Sequence, residues 1–191
     1  AIGNIIIKKP ASKGMEEQKT IILQGHLDMV HQKNSDTVFD FDTQGIEMIV
    51  EGDWVRANGT TLGSDNGIGV AAIMAVLSSN EISHPAIEAL FTIDEETGMT
   101  GAIKLDPSYF DGEILLNLDT EDDDELSIGC AGGIDTNTTF SYSEENPNAN
   151  SKTIEISILG LLGGHSGMDI DKGRGNANKI LARILWEINK A

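Results

Sequence analysis

Residues 21–28 have the sequence Ile-Ile-Leu-Gln-Gly-His-Leu-Asp, a short apolar run that ends in an imidazole and a carboxylate. The β-branched start of this run is typical of a buried strand. Side chains alternate across an extended backbone, so His26 and Asp28 are predicted to project from the same side of the chain. One of them could bind a metal ion while the other orients it. The stretch therefore predicts a strand that carries polar chemistry at its carboxyl end.

The sequence around this strand predicts further strands and helices in alternation. Strands are expected over 4–9, 20–24, 86–93 and 113–118, a hairpin over 47–51 and 54–57, and helices over 66–79 and 98–104. The helix over 66–79 is expected to be mostly buried, because it is rich in Ala, Ile, Val and Met. Strands that alternate with helices favour an α/β fold, with a mostly parallel sheet and flanking helices.

The pattern changes after residue 125. Strands are expected over 126–128, 134–142 and 153–161, and a closing helix over 176–190. The polar segment 143–152 is the best candidate for a linker. We therefore predict one domain over 1–145 and the beginning of a second, truncated α+β domain over 151–191, because a strand-loop-helix unit cannot cover both of its faces.

Composition excludes several classes of function. The formal net charge is −18 in 191 residues, which argues against binding to nucleic-acid phosphates. No apolar run approaches the roughly 20 residues of a membrane span. The single cysteine, Cys130, cannot form an internal disulfide and suits a reducing compartment, so a cytoplasmic location is expected. Because the chain begins in a predicted strand and without Met, we expect it to be cut from a longer protein.

Three other segments place carboxylates beside apolar strands or Gly-rich loops. Asp65 lies in the loop that opens a predicted helix, Glu95 and Glu96 follow one predicted strand, and Asp119 follows another. Each residue also has an ordinary explanation, such as a helix N-cap for Asp65 or a solvated pair for the two glutamates. The acidic run at 121–125 is most simply an exposed loop.

The ordinary explanations account for each residue singly, but they do not explain why ionisable groups recur at the ends of several strands. The carboxyl ends of strands in an open α/β sheet meet at one edge, where sites assemble. Carboxylates gathered there raise each other's pKa unless a cation neutralises them. The sequence therefore predicts a pair of divalent metal ions at this edge.

The ordered set of motifs resembles the metal-site motifs of M20 peptidases. The matching segments are Gly-His26-Leu-Asp28-Met-Val, Gly-Ser-Asp65-Asn-Gly-Ile-Gly, Asp-Glu95-Glu96-Thr-Gly and Asn-Leu-Asp119-Thr-Glu. The stretches Leu-Gln-Gly-His-Leu-Asp-Met-Val, Ile-Gly-Cys-Ala-Gly-Gly and Gly-Gly-His-Ser-Gly-Met-Asp-Ile are similar to the Xaa-His dipeptidase branch. The resemblance extends from about residue 4 to about residue 185. It implies a zinc-exopeptidase-like catalytic domain followed by a lid domain.

The resemblance implies a metal role for four side chains. His26 and Asp119 would bind one ion, Asp65 would bridge both ions, and Glu96 would bind the second. Two divalent ions are implied, with Zn²⁺ first and Mn²⁺ or Co²⁺ as alternatives, since imidazole and carboxylate ligands suit all three. The family's second ion also takes a histidine far downstream, beyond this chain, and neither His31 nor His84 is placed to replace it.

The resemblance also implies the catalytic roles. Glu95 would be the general base acting on a metal-bridging water, and Asp28 would orient the imidazole of His26. The peptide bond between Asp65 and Asn66 would be cis. The implied reaction is hydrolysis of dipeptides, Xaa-His above all. Because one metal ligand and much of the lid are expected to be absent, we predict that the 191-residue chain is inactive by itself.

The lid is implied to hold the substrate. His165 would reach the substrate carbonyl as an oxyanion partner, from the same or a neighbouring subunit, while Arg174 and Asn176 would lie near the C-terminal side of the peptide. On spacing alone, 163–167 favours an ordinary flexible loop. The nearby Arg-Gly-Asn-Ala-Asn motif matches the dipeptidase branch and favours the functional interpretation. The expected partners are a short peptide and a second subunit bound through the lid, with no nucleic acid and no membrane.

Other functions fit the sequence less well. A calcium-binding EF-hand that starts at Asp119 would place Asp124 where glycine is required and Cys130 where the bidentate glutamate is required. The Gly-Ile-Gly-Val-Ala-Ala segment at 67–72 lacks the preceding strand of a dinucleotide site. Two alternatives stay open: another M20 hydrolase, such as an aminoacylase, carboxypeptidase or tripeptidase, and a noncatalytic metal-binding homologue.

Overall fold

A computed structural model of the chain describes residues 2–120, 124–130, 132–134, 136–165 and 167–190. The chain divides into two compact units, Ala1–Cys130 and Ala131–Ala191. The boundary between the units, after Cys130, lies before the polar segment 143–152 that was the linker candidate. Of the acidic run expected to be an exposed loop, 121–123 lies outside the described residues, and Asp124 and Glu125 are exposed.

The first unit is a mixed α/β structure. In chain order its elements are β1 (Ile5–Lys9), β2 (Ile21–His26), β3 (Met48–Glu51), β4 (Trp54–Ala57), α1 (Ser64–Ser78), β5 (Ile87–Thr92), α2 (Thr100–Ile103), a 3₁₀ turn (Pro107–Tyr109) and β6 (Ile114–Asn117). Four strands form one sheet in the order β1-β5-β2-β6. Both β5 and β6 run parallel to β2, and β1 is antiparallel at the edge. The mostly parallel sheet was predicted from the alternation of strands and helices.

The core of this unit lies between the sheet and α1. Every residue of β5 is buried, and β1 and β2 pair with its two edges. The buried cluster contains Leu23, Ile73, Ile87, Ala89 and Phe91. Only Asn66, Gly69 and Ile73 of α1 are buried. The prediction of a mostly buried helix is therefore wrong, because α1 contacts the sheet through a single face.

The buried carboxylate of Glu88 connects β5 with β1 and with the segment before β6. Glu88 is the second residue of β5, is 3% exposed and pairs with Lys8 of β1 at 2.7 Å. It also accepts hydrogen bonds from the backbone N–H groups of Asp111 and Gly112, which lead into β6. Burial acts to raise the pKa of Glu88, but Lys8 and the two N–H groups outweigh it and lower that pKa. The edge strand and the start of β6 are thus anchored to the central strand.

The second unit contains one helix among its described residues, α3 (Ala177–Ile188). Asn176 caps it, since its side-chain oxygen accepts a hydrogen bond from the Lys179 N–H at 2.9 Å. None of the helices in the described part of the chain is long and apolar enough to cross a bilayer.

The strands predicted over 126–128, 134–142 and 153–161 are wrong for the described residues of those segments. A strand needs a neighbour that accepts its backbone hydrogen bonds, and the described residues of these segments pair with none. Their apolar side chains also stay exposed, as at Leu126, Phe140 and Leu159. Alternation alone therefore did not identify strands here. The α+β lid stays a prediction.

Candidate metal centre

The polar groups predicted to meet at the sheet edge do lie together. His26 ends β2, Glu95 and Glu96 follow β5, and Asp119 follows β6. Ligand atoms of His26, Asp65 and Asp119 lie within 4.8 Å of one another, and so do those of His26, Glu95 and Glu96. Parallel strands explain this convergence, because their carboxyl ends meet at the same edge. Asp65, in the first turn of α1, adds a further carboxylate to this group.

His26 has one ring nitrogen committed to the backbone and one facing the acids. The side chain is 1% exposed. Its Nδ1 lies 2.9 Å from the backbone oxygen of Asp28, and because a carbonyl only accepts, Nδ1 must carry a proton. Its Nε2 lies 3.0 Å from Asp65 Oδ1 and 3.8 Å from Asp119 Oδ2. Nε2 is therefore the atom that a cation between these carboxylates would bind.

Asp28 has a second contact that sequence reasoning missed. Its carboxylate accepts hydrogen bonds from the backbone N–H groups of Glu95 at 3.1 Å and Glu96 at 3.0 Å. Its Oδ1 is farther from His26 Nδ1, at 3.5 Å. Burial acts to raise the pKa of Asp28, but the bonds from Glu96 and Glu95 outweigh it and lower that pKa. Asp28 thus orients His26 mainly through its backbone oxygen, and it fixes the turn that carries both glutamates.

Three carboxyl groups of the cluster, those of Glu95, Glu96 and Asp119, have a pKa above the ordinary value. Burial raises the pKa of Glu95, Glu96 and Asp119, and the charge of Asp65 raises it further in each case. For His26, burial acts to lower the pKa, but the hydrogen bond to Asp65 and the charge of Asp119 outweigh it and raise that pKa. The crowded negative charges therefore favour positive charge at this place, which a bound cation would supply.

The donor set fits a divalent transition metal. One imidazole nitrogen faces carboxylate oxygens from four residues, and such mixed ligands suit Zn²⁺, with Mn²⁺ and Co²⁺ also accepted. A cavity of about 220 Å³ opens beside Asp65 and Glu96. The peptide bond between Asp65 and Asn66 is cis, as predicted.

The other two histidines of the first unit lie in different surroundings. His31 stacks on Phe41, with ring centroids 5.1 Å apart. His84 is buried and its Nδ1 lies 2.7 Å from the backbone oxygen of Pro85, at the opposite end of β5 from the cluster. Neither belongs to the groups of potential ligands among the described residues.

The residues predicted to contact substrate belong to the second unit. The His165 Nδ1 accepts hydrogen bonds from the N–H groups of Gly167 and Met168. Arg174 donates to the backbone oxygen of Gly163 and, at 3.0 Å, to Asp169. Asn176 caps α3. His165 and Arg174 are thus held by one local loop, in which Ser166 lies outside the described residues, and their contacts with substrate stay predictions.

Fold and cluster together match the class of metallopeptidases that the motifs resemble. The chain is 48% identical over 184 residues to the cytosol non-specific dipeptidase of Escherichia coli strain K12, a match that covers 96% of this chain and 38% of that protein. The crystal structure of an aminoacylhistidine dipeptidase from Vibrio alginolyticus matches with a TM-score of 0.66 and 46% identity, over 96% of this chain and 38% of that one.

A more distant structure supports the same fold. The aminopeptidase PepT from Bacillus cereus matches with a TM-score of 0.51 and 29% identity, over 63% of this chain and 30% of that one. No protein-family model matches the sequence. The chain belongs to the M20 dipeptidases, as its motifs indicated, and it spans 38% of the length of the Escherichia coli relative.

Proposed function

We propose that the protein carrying this chain is a metal-dependent dipeptidase, and that dipeptides with a C-terminal histidine are among its substrates. The observation that carries the proposal is the convergence of His26 Nε2, Asp65 and Asp119 within 4.8 Å, next to Glu95 and Glu96. Two relatives, the non-specific dipeptidase of Escherichia coli and the aminoacylhistidine dipeptidase of Vibrio alginolyticus, support the same activity.

The metal ligands in this proposal are the four residues that the resemblance implies. His26 and Asp119 would hold one divalent ion, Asp65 would be shared, and Glu96 would hold the second. When bound, the two ions polarise the scissile carbonyl and lower the pKa of water toward neutrality. Zn²⁺ is the first candidate, with Mn²⁺ or Co²⁺ as alternatives.

Glu95 carries the proton transfers. Its Oε2 lies 3.9 Å from His26 Nε2, close to the cluster, and its side chain is 34% exposed, so water can reach it. Its pKa is raised, chiefly by burial, which brings it nearer the working pH of a general base. Glu95 takes a proton as the water oxygen bonds to the carbonyl carbon. It gives that proton to the amine nitrogen as the C–N bond breaks.

Other residues position these groups and the substrate. Asp28 holds the Glu95–Glu96 turn through two hydrogen bonds. In the second unit, His165 would donate a hydrogen bond to the carbonyl oxygen of the substrate. Arg174 and the side-chain N–H₂ of Asn176 would face the C-terminal carboxylate of the peptide. We further propose a cytosolic location and a homodimer formed through the second unit.

Two alternative functions remain within the family. Another M20 hydrolase, such as an aminoacylase, carboxypeptidase or tripeptidase, would use the same cluster and differ in the residues that grip the substrate. A noncatalytic metal-binding homologue is disfavoured, because Glu95, the predicted base, lies at the cluster as well as the four predicted ligands.

The proposal is tested by peptide hydrolysis. The protein, at the length of its Escherichia coli relative, is assayed with Zn²⁺ or Mn²⁺ on Xaa-His dipeptides, other dipeptides, a tripeptide and an N-acetyl amino acid. We expect dipeptide hydrolysis that a chelator abolishes and added metal restores. Hydrolysis of only the tripeptide or the acylated amino acid would favour the first alternative, and a metal-loaded protein that cleaves nothing would refute the enzyme.

A further inference from the structure

The hydrogen-bond ladder between β2 and β6 is interrupted just before the candidate metal centre. Its last regular pair is Gln24 with Asn117, after which the Leu118 N–H donates to the Gln24 oxygen at 2.9 Å. In a parallel ladder, a residue that donates to one residue of the neighbouring strand accepts from the residue two positions later. The Leu118 oxygen should therefore accept from the His26 N–H. Both groups instead bond to a third residue.

That residue is Asn66, whose side chain is inserted between the two strand ends. Its Oδ1 accepts from the His26 N–H at 3.2 Å, and its Nδ2 donates to the Leu118 oxygen at 2.8 Å. The Nδ2 also lies 3.4 Å from Asp119 Oδ1. Asn66 is 3% exposed. The carboxamide thus takes the place of one ladder bond, and it holds the two backbones apart by the width of an amide group.

Two glycines from separate elements make the slot for this amide. A methyl group on Gly25 of β2 would lie 2.5 Å from Asn66 Oδ1. A methyl group on Gly69 of α1 would lie 2.5 Å from the Leu118 oxygen and 2.8 Å from Asn66 Nδ2. All three distances are far below van der Waals contact, so the inserted amide requires a residue without a side chain on each side.

We propose that Asn66 is a positioning residue that separates β2 from β6 and thereby sets the spacing between His26 and Asp119. His26 itself supplies the N–H of the interrupted rung, and Asp119 directly follows Leu118, which supplies its oxygen. The imidazole and the carboxylate must stand far enough apart to admit a cation between them. The consequence for metal affinity rests on the proposed function, whereas the insertion itself does not.

The insertion is tested first without metal, by NMR on the isotope-labelled chain. A scalar coupling across the hydrogen bond from the His26 backbone nitrogen to the side-chain carbonyl carbon of Asn66 is expected. A coupling from His26 to the backbone carbonyl carbon of Leu118 would mean that the ladder is continuous, and would overturn the proposal.

The positioning role is tested by cobalt or zinc affinity, measured in competition with a chromogenic chelator. For Asn66→Ala we expect affinity to fall about 10- to 100-fold, the range for residues that orient ligands, together with a changed Co²⁺ absorption spectrum. Gly69→Ala, which keeps the amide but fills its slot, should act in the same direction if Asn66→Ala does not fold. Gly67→Ala, on the same helix, is the matched control, because a methyl group added at Gly67 would meet no atom within 4 Å.

The outcomes separate this inference from the proposed function. Unchanged affinity and spectrum in both Asn66→Ala and Gly69→Ala would overturn the positioning role. If the unaltered chain binds no divalent cation, the proposed function fails for this chain, and the coupling from His26 alone decides whether Asn66 spans the strands.

Discussion

At the scale of single residues, His26 connects the acidic groups of the cluster. Its Nδ1–H donates a hydrogen bond to the Asp28 backbone oxygen. Its Nε2 is therefore left to face Asp65, Asp119 and Glu95, at 3.0, 3.8 and 3.9 Å. A carbonyl fixes the tautomer more firmly than a hydroxyl would, because it can only accept. Through this contact Asp28, two residues after the end of β2, would affect how His26 binds a metal ion.

Glu95 is the residue whose role is most sharply testable. We predict that Glu95→Gln lowers the turnover of the whole enzyme at least about 10²-fold, since a general base contributes that much or more. Metal affinity should stay nearly unchanged, because Glu95 is proposed as a base and not as a ligand. Turnover is measured with an Xaa-His dipeptide, and affinity by chelator competition.

The matched control for this prediction is Glu113→Gln, which removes an exposed carboxylate that pairs with Lys19 at 2.5 Å. It should leave both quantities unchanged. A large loss of metal affinity in Glu95→Gln would contradict the assignment and make Glu95 a ligand, since its oxygen lies with those of His26 and Glu96 in one group.

The roles of individual residues could be predicted only in part. The ordered motifs indicated His26, Asp65, Glu96 and Asp119 as neighbours, because strand ends and helix starts are visible in the sequence. The bonds of the Asp28 carboxylate to Glu95 and Glu96, and the insertion of Asn66, could not be predicted. Both depend on how separate strands and α1 are placed in space, and the sequence offers only the small residues Gly25 and Gly69 as a signal.

At the scale of elements, Glu88 joins β5 to β1 and to the segment before β6, and it gives the fold a pH dependence. Its pKa is lowered from an ordinary value of 4.5, because Lys8 and the N–H groups of Asp111 and Gly112 outweigh burial. A carboxyl whose pKa is lowered on folding stabilises the protein above its unfolded pKa. That stabilisation is lost as the pH falls through the folded pKa.

We therefore predict that Glu88→Gln lowers the free energy of unfolding at pH 7 by about 1–3 kcal/mol, the cost of weakening a buried charged hydrogen-bond group. Urea unfolding at pH 7 and pH 3 measures this difference, which should shrink at the lower pH. Glu113→Gln is again the control and should change stability by less than about 1 kcal/mol. An equal effect of Glu88→Gln at both pH values would show that shape, and not charge, is responsible.

The elements of the first unit could be predicted because each strand or helix has a strong local signal. The strands at 20–24 and 86–93 were located within two residues of β2 and β5. In the second unit, the helix predicted over 176–190 is present as α3, because helical hydrogen bonds join residues that are close in the sequence. The prediction of strands over 134–142 and 153–161 failed, because a strand depends on a pairing partner that can be distant in the sequence.

This contrast predicts different hydrogen exchange in the two kinds of segment. Backbone amides of β5, which pairs on both edges, should exchange roughly 10³-fold more slowly, after correction for intrinsic rates, than amides of 136–162, because exchange from paired core strands requires larger openings. Mass spectrometry of the deuterated chain measures both. Comparable protection of 136–162 would mean that its backbone is hydrogen-bonded in solution, contrary to the structure.

At the scale of the whole molecule, the net charge of −18 includes a cluster of carboxylates that repel one another in the absence of a cation. Burial and mutual repulsion already raise the pKa of Glu95, Glu96 and Asp119. A bound ion would relieve that repulsion and would also stabilise the folded chain, by about 2.7 kcal/mol at a free concentration one hundred times the dissociation constant. Metal binding and folding should therefore be linked in this protein.

The central claim is that His26, Asp65 and Asp119 form a metal site. The most direct test is a titration of the metal-free 191-residue chain with Zn²⁺ or Co²⁺ against a chromogenic chelator, repeated with Asp65→Asn and Asp119→Asn. Asp111→Asn, whose side chain is 86% exposed and outside the cluster, is the matched control.

We predict saturable binding of at least one ion per chain, with an affinity that falls at least about tenfold in Asp65→Asn and Asp119→Asn and stays unchanged in Asp111→Asn. Absence of saturable binding by the unaltered chain, or equal affinities in all four proteins, would contradict the metal site.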